Sequence, residues 1–267
     1  MEIYSQIKEK KANGKKQFAV LIDPDKLDDK QVKDIAELAL KAKVDYFFIG
    51  GSLLINNSLD ACIATLKKET AIPAVLFPGN NMQLSYRADG ILFLSLISGR
   101  NAEMLIGRHV IAAPYLRLSP LEIISTGYML IESGRPTTVS YMSNSFPIPA
   151  DKVDVACCTA MAGEMLGLKL IYMDAGSGAL NPISEAMIKG VSSSISIPLI
   201  IGGGVRTPEL ALANCKNGAD VIVVGNAIII LLEGMVVFVQ DLRLEYYEFF
   251  SKFFEGAGKR YNPFRVG

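Results

Sequence analysis

Short, almost wholly hydrophobic runs recur along the chain and alternate with stretches of helical periodicity. Such runs are typical of parallel strands that helices cover on both faces, because neither face is left to polar residues. Seven of the runs are clear, and residues 122–131 are the best candidate for the fifth of eight strands. The pattern predicts strands within residues 18–23, 46–51, 74–79, 90–97, 122–131, 168–176, 197–204 and 219–226.

Helices are predicted from apolar stripes and from residues that cap helix starts. One stripe predicts a helix after the first strand and consists of Val32, Ile35, Ala36 and Ala39. Asn181-Pro182 and Thr207-Pro208 each pair a capping side chain with a proline, which favours the first helical position. Residues 116–151 are rich in proline, glycine and serine and predict a long excursion around strand five.

The order of these elements predicts the fold class. No linker or charge run divides the chain, although 267 residues would allow two domains. Strands that alternate with helices and carry near-continuous apolar runs favour a closed barrel over a doubly wound sheet. The sequence therefore predicts an α/β fold, a single TIM (β/α)8 barrel domain over residues 1–267.

Charge balance and histidine content exclude several classes of function. Lysine plus arginine number 27 and aspartate plus glutamate number 27, so there is no basic surplus for binding nucleic acid. His109 is the single histidine, which excludes metal sites built from several imidazoles. Acid–base and metal chemistry must therefore depend mainly on carboxylates.

The cysteines and the hydrophobic segments bear on location. Four cysteines lack CxxC spacing and the first residues lack the apolar stretch of a secretory signal, so we expect a cytoplasmic protein. Residues 227–239 are apolar, but Glu233 and Gly234 interrupt them before the ~20 residues that a spanning helix needs. They predict a buried or interface-packing helix, and peripheral contact with a membrane surface remains an alternative.

Glycine-rich sequences follow the sixth, seventh and eighth strands. In a barrel of this kind the carboxyl ends of the strands converge on the active site. Glycine lets backbone N–H groups approach an anion, and the loops after strands seven and eight form the recurring phosphate site of these barrels. Singly, each loop indicates only a turn. Together, the sequences around Gly176, Gly203 and Gly225 predict a phosphate-binding site.

Two aspartates at strand ends are the candidate chemical groups. Asp23 ends a buried apolar strand, where a hard cation such as Mg²⁺ would satisfy the carboxylate, and Ser52 on the next strand end could add a hydroxyl ligand. The alternative role for Asp23 is a helix cap. Asp174 faces the predicted phosphate loops, where a general base for a substrate hydroxyl is useful, or it hydrogen-bonds the loop backbone. Tyr172 points to the same side and either donates to a phosphate or packs.

Five motifs in a fixed order make a more specific signal. They are LIDPDK, FIGGS, YMDAGSGA, IIGGGVRTPE and VVGNAI, and they span about Phe18 to Ala227. In these the chain resembles the geranylgeranylglyceryl phosphate synthase and heptaprenylglyceryl phosphate synthase family, and it is more similar to the larger, second group. The resemblance implies a modified TIM barrel that transfers a long prenyl group, with geranylgeranyl diphosphate as the expected donor, to sn-glycerol 1-phosphate.

The resemblance also implies the cofactor Mg²⁺ and roles for individual residues in this step of ether-lipid biosynthesis. Asp23 and Ser52 match the metal-binding positions, and Asp174 matches the catalytic base. The positions that match the glycerol-phosphate site are Tyr172, Met173, Asp174, Ala175, Gly176, Ser177, Gly178, Gly203, Gly204, Gly225 and Asn226. The family usually has glutamate where this chain has Asp174. The apolar segment after Asn226 also departs from the family pattern and favours a homo-oligomer.

Other interpretations of the same residues are open. An isomerase or aldolase of a sugar phosphate, or a flavin-phosphate enzyme, shares the phosphate loops but needs no long apolar groove. A non-catalytic phosphate or lipid sensor would bind its ligand without turnover. An isoprenoid substrate requires a groove, which Phe77 and Phe93 could line, although such residues belong to the core by default.

Overall fold

The computed structural model describes residues 2–225, and its eight parallel strands close into a barrel. Each strand pairs with the next along the chain, and the eighth pairs with the first. The prediction of a TIM barrel is confirmed, including the fifth strand. The strands are β1 (Gln17–Ile22), β2 (Tyr46–Ile49), β3 (Ala74–Leu76), β4 (Gly90–Leu96), β5 (Glu122–Leu130), β6 (Leu170–Asp174), β7 (Leu199–Gly202) and β8 (Val221–Gly225).

Within residues 2–225, at least one helix lies between consecutive strands except between β3 and β4, where residues 77–89 contain no helix. A 3₁₀ turn (Pro24–Lys26) follows β1, and a π-helical segment (Glu103–Gly107) leads into α4. No helix in residues 2–225 is long and apolar enough to cross a membrane. The helices are α1 (Ile3–Ala12), α2 (Asp29–Lys41), α3 (Leu59–Glu69), α4 (Arg108–Arg117), α5 (Thr138–Ser143), α6 (Val153–Met165), α7 (Glu185–Ser194) and α8 (Pro208–Lys216).

Alternate residues of each strand face two separate cores. Along β6, Leu170 and Tyr172 belong to the interior of the barrel, whereas Ile171 and Met173 pack against the helices. The predicted stripe of α2 is buried in the outer core, which confirms that helix. Because both faces of the strands are covered, the strand sequences are apolar almost throughout.

Helix α1 closes the amino-terminal end of the barrel. Its Ile3 and Ile7 belong to the interior core. The side chain of Glu122 accepts hydrogen bonds from the backbone N–H groups of Ile3 and Tyr4 at the start of the helix, the second at 2.8 Å. This end of the barrel is therefore closed by the chain itself.

One predicted helix start is confirmed and the other is wrong. Thr207 caps α8 by accepting the Leu210 N–H group at 3.3 Å, with Pro208 at the first helical position. Asn181-Pro182 begins no helix, because α7 starts at Glu185 with Ser184 as its cap. The reason is tertiary: the Asn181 backbone N–H donates to the Ser133 carbonyl at 3.0 Å, which holds this segment against another loop.

The predicted excursion around strand five lies mainly after β5. Residues 116–121 are the end of α4 and a short link, whereas residues 131–152 form a long loop that contains α5. We call residues 131–137 of this loop the β5 loop. They lie at the carboxyl-terminal end of the barrel, where the predicted site is located.

Three aspartates fix the register of the barrel at its amino-terminal end. Each stands just before a strand and donates its own N–H to a carbonyl at the start of the preceding or an adjacent strand, at 2.8 Å. The residue that provides this carbonyl donates its own N–H to the carboxylate of the aspartate. Each carboxylate also forms an ion pair with a lysine. The pairs are Asp45 with Phe18 at 2.8 Å, Asp89 with Ala74 at 2.9 Å, and Asp220 with Leu199 at 2.9 Å.

We expect Asp220→Ala to lower the free energy of unfolding by about 2–4 kcal/mol, because it leaves a buried N–H group unpaired and removes the partner of Lys11. Urea unfolding followed by circular dichroism measures the change. Asp34→Ala, on the exposed face of α2, is the matched control and should cost less than about 0.5 kcal/mol. Equal losses in the two variants would contradict the register role.

Candidate active site

The candidate residues from different strands meet at the carboxyl-terminal rim of the barrel. Asp23 directly follows β1, Asp174 ends β6, and Gly203 directly follows β7. A Cβ atom placed on Gly203 would lie 2.5 Å from Asp174 Oδ1. The base candidate and the glycine loop after β7 are therefore in contact.

Two hydrogen bonds hold the Asp174 carboxylate. The Tyr128 hydroxyl on β5 donates to Oδ2 at 2.6 Å, and the Gly176 backbone N–H donates to Oδ1 at 2.7 Å. The side chain is therefore fixed from the neighbouring strand and from its own loop. The loop hydrogen bond, predicted as the alternative role of Asp174, is present, and it leaves lone pairs on both oxygens for another donor.

Burial changes the acidity of Asp174. The residue is 7% exposed, and loss of hydration raises the pKa of its carboxyl group above the usual aspartate value. The hydrogen bonds from Tyr128 and Gly176 act in the opposite direction, because they stabilise the charged form. A carboxylate with a raised pKa is a stronger base than a solvated aspartate, so this environment suits proton abstraction.

An aromatic layer lies in the barrel beneath Asp174. Phe77 stacks on Tyr172 with ring centroids 5.1 Å apart, and Tyr128 lies 5.6 Å from Tyr172 and 6.0 Å from Phe77. Tyr172 is 1% exposed, and its hydroxyl abuts Gly202, where a Cβ would overlap it. Of the two roles predicted for Tyr172, the structure therefore shows packing.

The glycine loops after β6 and β7 have the backbone shape of an anion cradle. Gly176, Gly178, Gly203 and Gly204 all have φ between +71° and +86°, a region that other residues rarely adopt. Within residues 2–225 no protein acceptor receives a hydrogen bond from the N–H groups of Ser177, Gly178, Gly203 and Gly204. Free amides on glycine turns are the usual ligands of a phosphate.

The other predicted phosphate-site residues contribute differently. The side chains of Met173 and Ala175 belong to the outer core and point away from the rim, so only their backbone faces the site. Gly225 ends β8, and a Cβ atom placed on it would meet no other atom of the described residues within 4 Å, so its surroundings there are open. Asn226 lies outside the described residues, as does the apolar segment 227–239.

Asp23 lies three strands away from Asp174 around the rim, because β7 and β8 stand between β6 and β1. Its carboxylate accepts the Asp25 N–H at 3.2 Å, which caps the 3₁₀ turn, and pairs with Lys26 at 2.7 Å. The cap role predicted as an alternative is therefore present, while Asp28 caps α2. A Cβ on Gly51 would lie 3.6 Å from the Asp23 carboxylate, so the loop that carries Ser52 passes beside it.

This corner fits a hard cation that also binds a ligand. No group of three or more histidine, cysteine, aspartate or glutamate side chains in residues 2–225 forms a complete metal site. Mg²⁺ usually takes one or two carboxylates together with substrate phosphate oxygens, so the Asp23 carboxylate next to the loop that carries Ser52 suits this ion. Gln83 fixes this corner, because its side chain bonds the Gly51 carbonyl at 2.8 Å and the Gly79 N–H at 3.0 Å.

An apolar groove extends from the rim alongside β4, between this strand, residues 77–84 and α4. It includes the predicted residues Phe77 and Phe93, together with Leu92, Leu94, Ala112 and Tyr128. It also reaches Ser52, at the Asp23 corner. The groove exists because no helix covers residues 77–89. It therefore connects the Asp23 corner, the aromatic layer and Tyr128, the hydrogen-bond donor to Asp174.

His109 lies in the wall of this groove and not at the chemical groups. Its ring is edge-on to Phe93 at 4.4 Å, and burial lowers the pKa of the imidazole below its usual value. The ring is neutral near pH 7 as a result. The side chain is buried and packs in the groove wall, which gives His109 a structural role.

Comparison with known proteins identifies the family. A model of the PcrB family matches residues 6–238. The chain belongs to the PcrB family. A similar PcrB-family relative is the geranylgeranylglyceryl phosphate synthase of Chitinophaga pinensis, which is 59% identical over 227 residues, 85% of this chain and 90% of the relative. The synthase of Spirosoma linguale is 51% identical over 222 residues, 83% of this chain and 89% of the relative.

A solved structure supports the same family assignment. The (S)-3-O-geranylgeranylglyceryl phosphate synthase of Thermoplasma acidophilum, in complex with its substrate sn-glycerol-1-phosphate, matches with a TM-score of 0.81 and 34% identity. The match covers 86% of this PcrB-family chain and 92% of that chain. The resemblance inferred from the five motifs is therefore confirmed.

Two residues of the PcrB-family site were not predicted from the sequence. Tyr128 lies in the run 122–131, and only its inward register beside Asp174 reveals its role. Tyr128 stands four residues after Ile124, so both side chains lie on the same, interior face of β5. This spacing could have predicted that Tyr128 points into the barrel. Gln83 lies in an irregular loop, where no periodic pattern indicates which way a side chain points.

Proposed function

We propose that this protein transfers a long-chain prenyl group, such as geranylgeranyl, from its diphosphate to the 3-hydroxyl of sn-glycerol 1-phosphate. The observation that carries the proposal is the position of Tyr128, which lines the apolar groove and donates a hydrogen bond to Asp174. An isoprenoid in the groove would therefore meet the 3-hydroxyl of an acceptor that is bound beside Asp174. The names of the PcrB-family relatives support the same reaction.

In this reaction an ether bond forms between the glycerol oxygen and C1 of the prenyl chain as the bond from C1 to the diphosphate oxygen breaks. Asp174 accepts the proton of the attacking hydroxyl group. Cleavage of the bond to C1 releases diphosphate as the second product. Tyr128 and Gly176 orient the carboxylate for this transfer. The free amides of the glycine loops hold the phosphate of the acceptor, which converts a bimolecular encounter into a positioned one.

The diphosphate end of the donor belongs at the Asp23 corner. Asp23 and Ser52 would hold Mg²⁺ there, because Ser52 lines the groove and its loop passes beside the Asp23 carboxylate. When bound, Mg²⁺ supplies positive charge to the oxygens of the leaving group. Phe77 and Tyr128 line the groove that also reaches Ser52, and their aromatic faces would stabilise a cationic C1 there.

Other phosphate-binding barrel enzymes do not explain the groove. A sugar-phosphate isomerase, an aldolase or a flavin enzyme has no use for a long apolar groove that reaches the rim. A non-catalytic sensor has no use for a buried carboxylate whose pKa is raised. Prenyl transfer uses both features.

Turnover tests the proposal. Purified protein given sn-glycerol 1-phosphate, geranylgeranyl diphosphate and Mg²⁺ should form the prenylglyceryl phosphate, detected by mass spectrometry, and release diphosphate. Asp174→Asn should lower kcat by about 10²- to 10⁴-fold, because it removes the base. It should change the Kd for glycerol 1-phosphate much less. Absence of product from the wild type would overturn the proposed function, and an equal loss of binding would assign Asp174 a structural role.

Asp23→Asn should lower kcat/KM by at least about 100-fold, because it removes the carboxylate at the leaving-group end. It should also raise the Mg²⁺ concentration that gives half-maximal rate. Lys26→Gln is the matched control, since it breaks the ion pair and leaves the carboxylate. If Lys26→Gln loses as much activity as Asp23→Asn, loss of the ion pair and not loss of a metal explains the effect of Asp23→Asn.

Tyr128→Phe should move the acid limb of kcat/KM to higher pH. Asp174 must be ionised to act as a base, and its pKa is already raised by burial. Loss of the Tyr128 hydroxyl removes a donor that favours the ionised form, so the pKa rises further and activity is lost at a higher pH as the solution is acidified. The pH profile of kcat/KM measures this shift.

Tyr172→Phe is the control for this profile, because the Tyr172 hydroxyl lies in the same layer but makes no hydrogen bond to Asp174 within residues 2–225. It should leave the position of the acid limb unchanged, whatever its effect on KM. An acid limb that moves equally in both variants would show that Tyr128 does not act through Asp174.

A further inference from the structure

Arg135, in the β5 loop, contacts the glycine loop that follows β6. The nearest guanidinium nitrogen lies 2.5 Å from the position that a Cβ atom would occupy on Gly178. Gly178 also has a φ of +75°, so this position needs glycine for its backbone and for the approach of the arginine. The glycine-rich loop thus leaves room for a cation as well as exposing its N–H groups.

The backbone before Arg135 is anchored to the loop after β6. The Ser133 carbonyl accepts hydrogen bonds from the N–H groups of Leu180 and Asn181, at 3.2 and 3.0 Å. Gly134 follows with a φ of +86° and turns the chain beside the Asn181 side chain. Asn181, which begins no helix, therefore helps to set the position of Arg135.

The backbone after Arg135 is fixed at a second point. Pro136 restricts the conformations of the residue before it and has a fixed φ itself. Thr137 then caps α5 in a capping box with Ser140, and its methyl group lies 2.7 Å from the position of a Cβ on Gly176. Anchors at Ser133 and Thr137 therefore position Arg135 so that its guanidinium contacts Gly178.

The charges around the glycine loops require a cation. A phosphate bound at Gly203 would lie close to the buried Asp174 carboxylate, because a Cβ on Gly203 would be 2.5 Å from Asp174 Oδ1. Two anions in such proximity repel each other strongly where water is excluded. Arg206 is also near, but its guanidinium donates to the Ala179 carbonyl. Within residues 2–225 Arg135 forms no salt bridge or hydrogen bond, so its donors remain free for a ligand.

We infer that Arg135 binds the phosphate group of the acceptor substrate and selects phosphorylated over unphosphorylated glycerol. Its planar guanidinium suits two parallel hydrogen bonds to phosphate oxygens. Arg135 contacts the loop at Gly178, whereas Asp174 bonds it at Gly176, so Arg135 contributes to binding and not to the chemical step. This inference rests on the proposed function and adds a side chain to a site otherwise made of backbone amides.

Kinetics of Arg135→Gln test the inference. The KM for sn-glycerol 1-phosphate should rise by roughly 10- to 100-fold, the effect of losing a charged hydrogen bond. The kcat and the KM for the prenyl diphosphate should change little, and the preference for glycerol 1-phosphate over glycerol should fall. Arg135→Lys should recover part of the loss, because it restores the charge without the fork geometry. Arg117→Gln, at the exposed end of α4, is the matched control for loss of one positive charge.

Calorimetric titration with inorganic phosphate separates this inference from the proposed function. Wild-type protein should bind phosphate more tightly than Arg135→Gln, whether or not it makes the prenyl ether. Product from the wild type combined with an unchanged KM and phosphate affinity in Arg135→Gln would overturn the role of Arg135 alone. A loss of kcat without a change in KM would also overturn it. Phosphate binding without product would instead contradict the proposed function.

Discussion

The burial of one carboxylate between two donors is the constraint on which the site depends. Asp174 ends a strand inside the barrel, where an unpaired carboxylate is costly, so its position requires Tyr128 on the neighbouring strand and the Gly176 N–H of its own loop. The pairing of Tyr128 with Tyr172 across β5 and β6 sets that distance. Because the barrel register places both tyrosines on the interior face, the same pairing builds the aromatic layer under the carboxylate.

The second constraint is the missing helix between β3 and β4. A helix there would cover the outer faces of these two hydrogen-bonded strands, as the helices between the other described strands do. Its absence leaves Phe93 and its neighbours to line a groove. Gln83 compensates by fixing the irregular loop to the Gly51 backbone, beside Asp23. The absence of this helix leaves an apolar groove, and the buried Gln83 side chain keeps the Asp23 corner in place.

The sequence predicts the barrel well because the information is local. Apolar runs covered on both faces mark every strand, and the strand ends then bring Asp23, Asp174 and the glycine loops to one rim. Contacts between distant segments are not visible in this way. Asn181-Pro182 has the local pattern of a helix start, but its amide bonds Ser133 in another loop. Tyr128 and Arg135 likewise acquire their roles only from segments more than forty residues away, Asp174 and Gly178.

The aspartate at position 174 is consistent with this local geometry, although the family resemblance leads one to expect glutamate. A short side chain places its oxygen two residues ahead along the backbone, where it accepts the Gly176 N–H in the manner of an Asx turn. A glutamate, longer by one methylene, would carry the carboxylate beyond the reach of this amide and of Tyr128 in their present positions. The loop after β6 is therefore shaped around the aspartate, and the acceptor hydroxyl must approach the barrel wall more closely to reach it. Such an approach brings the hydroxyl toward the aromatic layer and the groove, which is where an isoprenoid C1 would lie.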